Sequence, residues 1–441
     1  MRACSPRCRP RRLPSPSWPT VTASLRSARC LMPSRWSPHP RYRLYTSPAS
    51  YWLPLRTMLS HGDGEAVACL EAEVSRRFEV AAAVCVPMAR TGLYLALREI
   101  LRPGQTVILS PLTLVDVVNS VLLAGGIPVF ADIVRQSCAL DPEHVESLID
   151  RRTGAVLVTH LHGESAGAHV FREICRRRGV PLIEDAAQAF GAVERDRRLG
   201  GIGDVGVYSF GFYKNLSAWR GGMIVSHDAG LIARVRKRMD AWPRLSRRSL
   251  LSWCAKGLLA DAATWPPFFA VVTYPIIRYG VLHGFRAVTR RLDPEDGARR
   301  LEALPQDYLA CMSDAQASLA LRQLERVDAD SALRNAYAAR YHEGLAGLEG
   351  LVTPRRHDGL SHIYTYYPIQ YRERDALLRH ALQGIPQGMP QRPRRVARID
   401  PAPYLSALPG GRDRAQHRRD PRFHHVRMTL RAAEPLSGNS F

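Results

Sequence analysis

The sequence predicts an α/β protein: a large domain with a mostly parallel β-sheet covered by helices, followed by a smaller α+β C-terminal domain. Three observations carry this. Short apolar runs without polar alternation recur between residues 82 and 226, as expected of strands buried on both faces. Stretches with apolar residues at helical spacing separate them. Beyond residue 306 the pattern turns mainly helical.

Taken in order, Glu65 to Phe78 opens the regular region as an amphipathic helix, with Val67, Leu70, Val74 and Phe78 on one face. Strands are expected at Ala82–Val86, Thr106–Leu109, Pro128–Ala131, Ala155–Thr159, Val180–Ile183, Val205–Phe210 and Met223–Ser226. Helices are expected at Arg90–Ile100, Val115–Ala124, Asp141–Ile149, Ala168–Arg178 and Gly230–Met239. In a sheet of this kind ligand chemistry gathers at the carboxyl ends of the strands. Residues 241–305 read as an apolar insertion. Its stretch Ala262–Ile277 carries three prolines and no charge, and falls short of the about 20 residues a spanning helix needs. Either it is buried near a subunit interface, or it makes a peripheral membrane contact over residues 262–285, flanked by Arg278, Arg286, Arg290 and Arg291. Met312–Val327 and Arg334–Leu348 read as helices, Tyr364–Gln370 as a strand and Glu373–Gly384 as a helix. These would form the small domain over residues 306–385, with the large domain at 61–240.

The formal charge of +22 invites a nucleic-acid reading, but its distribution argues against one. Residues 1–60 hold eleven arginines and no acidic residue, and residues 386–441 hold eleven arginines against four acids. The centre is therefore nearly neutral. The two ends are proline- and arginine-rich and lack periodicity, so they are expected to be disordered. Two alternatives stand beside that reading: an N-terminal targeting peptide, or a misread frame in an arginine-rich gene. The nine cysteines include no CxxC pair, which fits reduced thiols in a cytoplasmic protein better than a disulfide framework.

Lysine is scarce here. The chain has three, Lys214, Lys237 and Lys256, among 62 basic residues. Lys214 lies in Tyr208-Ser-Phe-Gly-Phe-Tyr-Lys-Asn215, past a strand that ends near Ser209. Upstream, Glu184-Asp-Ala-Ala-Gln188 places Asp185 at another strand end. Pyridoxal phosphate (PLP) needs that pairing, a lysine to carry it covalently and a carboxylate to keep its ring nitrogen protonated. Gln188 is within reach of a ring oxygen. Ser209 and Thr91 can donate to a phosphate, Thr91 from the helix start that follows Pro87-Met-Ala-Arg-Thr-Gly92. Gly201-Ile-Gly-Asp-Val-Gly206 matches GxGxxG but precedes a strand, the wrong context for a nucleotide fingerprint. His160 and His162 end a strand without a partner set, which argues against a metal site.

With Pro103–Ile108, Asn119–Asp132, His160–Gly163, Glu184–Gln188 and Gly203–Phe210 followed by Lys214, the chain resembles the DegT/StrS-type sugar aminotransferases, of the aspartate-aminotransferase-like fold type I. The resemblance covers most of residues 64–385. It implies that Lys214 forms the Schiff base, that Asp185 pairs with the ring nitrogen and Gln188 contacts the ring oxygen. It further implies that Thr91, Arg90 and Ser209 hold the phosphate. It implies an amino-acid donor such as glutamate, a nucleotide-linked keto-sugar acceptor and a homodimer. Rival chemistry on the same fold, dehydration or aldol cleavage, or a non-catalytic role, stays open. Three departures stand out: Leu114 follows Thr113 where the family places a ring-stacking aromatic, the loop after Lys214 reads Ser217-Ala-Trp-Arg-Gly-Gly222, and the family's C-terminal pattern fades after Ile385. Firm cofactor binding with weak turnover is the expectation.

Overall fold

The computed structural model describes residues 38, 40, 48–59, 64–285, 300–357, 359–374 and 377. The tail expected at 386–441 and most of 1–60 lie outside the described residues.

A seven-stranded sheet forms the centre. Its strands are β1 (Ala82–Val86), β2 (Thr106–Leu109), β3 (Ile127–Phe130), β4 (Thr153–Thr159), β5 (Leu182–Asp185), β8 (Val205–Ser209) and β9 (Gly222–Ser226). A small antiparallel ribbon, β6 (Val193–Glu194) with β7 (Arg197–Arg198), lies between β5 and β8 in sequence. The order across the sheet is β1-β9-β8-β5-β4-β2-β3, and only β9 runs antiparallel to its neighbours. Every residue of β2 and β5 is buried, which is why these strands read as unbroken apolar runs.

Helices α2 (Glu65–Phe78), α3 (Ala89–Ile100), α4 (Val115–Leu123), α5 (Pro142–Leu148), α6 (Ala168–Arg178) and α7 (Ala229–Met239) cover the two faces. Their starts and stops follow local chemistry. Asp141 caps α5 through Glu143 N–H, with Pro142 at the first position; α6 ends at Gly179 in the left-handed region (φ 67°). One core packs α2 and Phe190, Tyr208 and Phe210 together, with Phe78, Phe190 and Tyr208 in edge and tilted contacts at 5.1–5.3 Å. A second packs α3, α4 and α7 on the opposite side.

The smaller region centres on α11 (Asp314–Leu324) and α12 (Val327–Leu345). Ser313 and Gln316 form a reciprocal capping box at the start of α11. Two expectations need correction. Tyr364–Gln370 is not a strand: only Gln370–Tyr371 (β11) pairs, antiparallel to Leu351–Val352 (β10). The aromatic run folds on itself instead, with His362 stacked on Tyr364 at 3.7 Å and Tyr364 at φ 44°. Pro368 also lacks a ladder donor. The helix expected at Glu373–Gly384 falls almost wholly outside the described residues.

The second correction concerns Pro48–Leu59, inside the end expected to lack structure. It forms helix α1, which packs against α11. Tyr51 stacks on Trp219 (ring centroids 6.2 Å apart), and its hydroxyl bonds the Asp261 carboxylate. Apolar side chains at Tyr51 and Leu55 supply the anchor, four residues apart on one helical face.

The apolar insertion is a helical hairpin. Helix α8 (Arg247–Thr264) ends at Trp265. A short turn of helix α9 (Pro266–Phe268), a π-helical turn (Phe269–Thr273) and α10 (Tyr274–Leu282) lead back. On this side of the insertion the chain meets its continuation directly: Arg244 and Cys311 form a parallel bridge, Cys311 N–H donates to Pro243 O (2.8 Å) and Leu245 N–H to Cys311 O (3.1 Å). Most of the hairpin's large apolar side chains are exposed in the single chain. No described helix is long and apolar enough to cross a membrane.

Because α1 is anchored through one aromatic, Tyr51→Ala should destabilise the protein by about 2–3 kcal/mol. Denaturant unfolding followed by tryptophan fluorescence reads this; an unchanged midpoint would place α1 outside the cooperative unit.

Candidate active site

Four strand ends and one strand start meet at one edge of the sheet. Register pairs Thr159 with Asp185, Asp185 with Val207, and Ser209 with Gly222, while Val86 lies opposite Gly222 on the other side. Gly222 is required there by close approach. A Cβ at this position would lie 2.6 Å from the Tyr208 carbonyl oxygen and 2.8 Å from Ala89 N. Its absence lets the start of α3 settle onto the sheet edge.

Glu184 and Asp185 are consecutive on β5, so their side chains leave opposite faces. Glu184 is fully buried and its carboxylate is saturated. It meets His160 Nε2 at 2.9 Å and accepts from the N–H groups of Gly200 (2.7 Å), Ile202 (2.8 Å) and Gly203 (2.5 Å). Burial alone would raise its pKa, but the His160 contact and the backbone donors outweigh that and hold it below the usual range. His160 Nδ1 accepts from Ala166 N–H (3.2 Å), which leaves Nε2–H to donate to Glu184. The GxGxxG stretch thus wraps a carboxylate of the protein itself. A side chain on Gly203 would meet the Leu182 carbonyl at 2.8 Å, and one on Gly206 would collide with the Gly200 carbonyl.

Asp185 faces the other way, toward Lys214. Its carboxylate accepts from Ala187 N–H at 3.1 Å. Burial raises its pKa, and the charges of Lys214 and His160 only partly oppose this. Lys214 answers with a lowered pKa: burial is the largest cause, Asp185 opposes it, and the Arg90 guanidinium adds to it. A half-buried lysine held toward its neutral form is the nucleophile that Schiff-base chemistry needs.

The turn carrying Lys214 is fixed from both sides. Lys214 N–H donates to Gly211 O (3.2 Å), and Gly211 N–H lies 3.4 Å from Ser209 Oγ. Downstream, Asn215 Nδ2 donates to Phe190 O (2.7 Å) and Ser331 Oγ (3.2 Å). Gln323 Oε1 accepts from Ser217 N–H (3.0 Å), and Gln316 Nε2 donates to Arg220 O (2.7 Å). Helices α11 and α12 therefore clamp the lysine loop with side-chain amides and a hydroxyl.

At α3, Met88 occupies the N-cap and offers no capping side chain. The first N–H groups of that helix are left to another acceptor beside Arg90 and Thr91, the arrangement that receives a phosphate. Thr91 is fully buried with its hydroxyl on Tyr308 O (3.0 Å). Arg90 bonds Asp116 and the Tyr308 hydroxyl (2.8 Å) and lies 5.1 Å from the Tyr308 ring centroid. Gln188 accepts from His162 N–H at 2.9 Å, and its own carbonyl takes the Thr365 hydroxyl (2.6 Å). Leu114 is the half-exposed N-cap of α4.

Thus Lys214, Asp185 and Arg90 share one electrostatic environment, with Ser209 beside the lysine turn. Thr91 faces the short turn Gln306–Leu309, and Gln188 holds the strand-end loop at His162. Sequence reasoning passed over Tyr308, which has no motif, and misjudged His160, whose partner Glu184 was already in view 24 residues away. Among the described residues no group of three or more His, Cys, Asp or Glu side chains could hold a metal ion.

A mostly parallel sheet with a lysine–aspartate pair at its carboxyl edge and an uncapped helix start beside it is the arrangement of the PLP-dependent fold type I, and the residues present fit that cofactor. The chain belongs to the DegT/DnrJ/EryC1/StrS aminotransferase family, whose model matches residues 55–244 and 297–388. It is 30% identical over 295 residues to the spore coat polysaccharide biosynthesis protein SpsC of Bacillus subtilis (strain 168), covering 67% of this chain and 65% of that one. The chain thus spans just under two thirds of that relative's length. Among solved structures it is similar to DesV of S. venezuelae (27% identity, TM-score 0.57, covering 75% of this chain and 76% of that one). It is also similar to the aminotransferase TlmJ of Streptoalloteichus hindustanus (25%, TM-score 0.60, covering 78% and 82%).

Glu184→Ala leaves His160 and three backbone donors unmatched in the core and should cost about 3–5 kcal/mol. The milder Glu184→Gln tests the charge. A carboxylate whose folded pKa is depressed adds stability above its unfolded pKa and loses it as pH falls through the folded value. The wild type should therefore lose stability across that acidic window by a margin that Glu184→Gln lacks; superimposable stability–pH curves would contradict this.

Proposed function

We propose that this protein is a PLP-dependent aminotransferase that moves an amino group from an amino acid, with glutamate as donor, to a keto sugar, one linked to a nucleotide. The observation that carries the reading is the half-buried Lys214 within electrostatic reach of the buried Asp185, at the carboxyl edge of the sheet. Membership of an aminotransferase family and likeness to a polysaccharide-biosynthesis protein support the sugar substrate.

In this reading Lys214 Nζ is the covalent attachment point. Asp185, aimed at the same site, holds a proton on the ring nitrogen. Bound PLP supplies an electron sink that stabilises negative charge on the substrate carbon. Lys214 Nζ, when free of the cofactor, would carry the proton from that carbon. The α3 start, with Arg90 and Thr91, and Ser209 hold the phosphate; for Thr91 the role requires its hydroxyl to turn from Tyr308 O. Gln188 is anchored through Oε1, so its amide N–H groups are what it presents to a ring oxygen. Leu114 offers an aliphatic face where an aromatic would stack. The protein works as a homodimer in the cytoplasm, and the exposed Tyr213, next to Lys214, is suited to lie near a second subunit. A lysine in place supports transamination over the dehydratase alternative.

The test is an absorption spectrum of purified protein with and without glutamate. Lys214→Ala should abolish the protein-linked cofactor band while the far-UV spectrum stays unchanged; a persisting band would remove Lys214 from the role. Asp185→Asn should still take up PLP but lose about 1.5–3 kcal/mol of charge-assisted bonding and convert the cofactor with glutamate far more slowly.

Since burial lowers the Lys214 pKa, the rate of cofactor capture should rise with pH through a midpoint below the ordinary lysine value of about 10.4. Stopped-flow absorbance across pH measures it, and a midpoint at or above that value would show that burial does not activate the amine. Leu114→Phe should slow cofactor loss on dialysis, by about 0.5–1.5 kcal/mol of ring contact.

A further inference from the structure

The family model passes over residues 245–296, so the hairpin α8–α10 is an addition to the shared fold. One side of α8 is committed inward: Leu250 and Cys254 are buried, and Gly257 lies against Tyr51 and Trp219. The other side and the return limb are apolar and open. Val271 is 76% exposed, Leu259 70% and Ile276 60%, with Trp265, Tyr279 and Phe285 also more than half exposed. So many large apolar side chains on one projecting element exceed what a soluble surface leaves uncovered, and mark an interaction site.

Charge identifies the partner. Residues 241–285 carry Arg244, Arg247, Arg248, Lys256 and Arg278 against a single acid, Asp261, whose carboxylate is taken by Tyr51. A second copy docking hairpin to hairpin would set these cations against themselves. An anionic bilayer complements both halves of the surface, its phosphates meeting the cations and its acyl boundary the apolar side chains. Trp265 sits at the bend, where an interfacial aromatic belongs. With no described helix able to cross a bilayer, the hairpin lies in the interface. We propose that α8–α10 is a monotopic docking element for anionic phospholipid membranes. It also rests on the loop that carries Lys214: Trp253 packs on Phe212 at 5.5 Å, and Trp219 follows five residues after the lysine. Docking therefore brings the active-site loop to the membrane surface.

The experiment is co-sedimentation of the full chain with vesicles of phosphatidylcholine alone or mixed with phosphatidylglycerol. Binding is expected to the mixed vesicles only, and to weaken as salt rises from about 0.1 to about 1 M and the screening length shrinks from about 10 to about 3 Å. The arginine-rich first 60 residues would also attract anionic lipid, so the deciding variant is Val271→Asp/Ile276→Asp. Both side chains are exposed, and the variant should keep its far-UV spectrum and PLP absorbance while binding roughly tenfold or more weakly. Arg247→Glu/Arg248→Glu, also exposed, should lose the salt-sensitive part. Wild-type binding by the Val271/Ile276 variant, or equal binding to neutral and mixed vesicles, would overturn the proposal. So would sedimentation velocity showing that the variant abolishes self-association in a protein that ignores vesicles.

Discussion

The Glu184 carboxylate is the constraint on which the rest of the site depends. It is an ion buried in the centre of the sheet, tolerable only because one imidazole and three backbone N–H groups reach it. Those partners come from the end of β4 and from the loop before β8, so a single side chain fixes the relative placement of three adjacent strands. Strand geometry then does the remainder. With Glu184 locked inward on one face, Asp185 must project from the other, at the level where Lys214 returns from β8. A slip of one residue along β5 would exchange the two carboxylates and leave the lysine without its partner.

The candidate cofactor site and the structural core are therefore two faces of one dipeptide. Their electrostatics run in opposite senses for a physical reason. Glu184 has enough donors to overcome burial and stays ionised. Asp185 has one backbone donor and the Lys214 amine nearby, and burial prevails. A carboxylate raised in this way is under-satisfied, and a cationic ring nitrogen is the partner that would relieve it.

Most of the sheet was legible in the sequence because parallel strands buried on both faces leave a plain signature, and the boundaries expected at Ala82–Val86 and Thr106–Leu109 are those observed. Lys214 and Asp185 stood out because Asp185 ends β5 and Lys214 follows the end of β8 by five residues, each in a short chemical motif. What escaped reading depended on distant partners. The GxGxxG stretch precedes a strand, but nothing local says that it wraps Glu184. Tyr308 covers Arg90 and Thr91 from more than 200 residues away. Helix α1 exists because Trp219 and α11 offer it a surface, while its own segment carries two prolines, Pro48 and Pro54. Tyr364–Gln370 alternates like a strand yet has a two-residue partner, too little ladder to hold it extended.

Trp219 itself sits at φ 63°, a conformation costly for a bulky side chain, and is held there by Tyr51, Cys254 and Leu319. Those neighbours include the root of the hairpin, whose two strands of chain are tied where Arg244 meets Cys311. A loop closed at its base exacts an entropy that grows only with the logarithm of its length. The catalytic scaffold is thereby almost indifferent to how much chain is spliced in above that bridge. Such a junction is a port: what is mounted there can change without renegotiating the fold beneath.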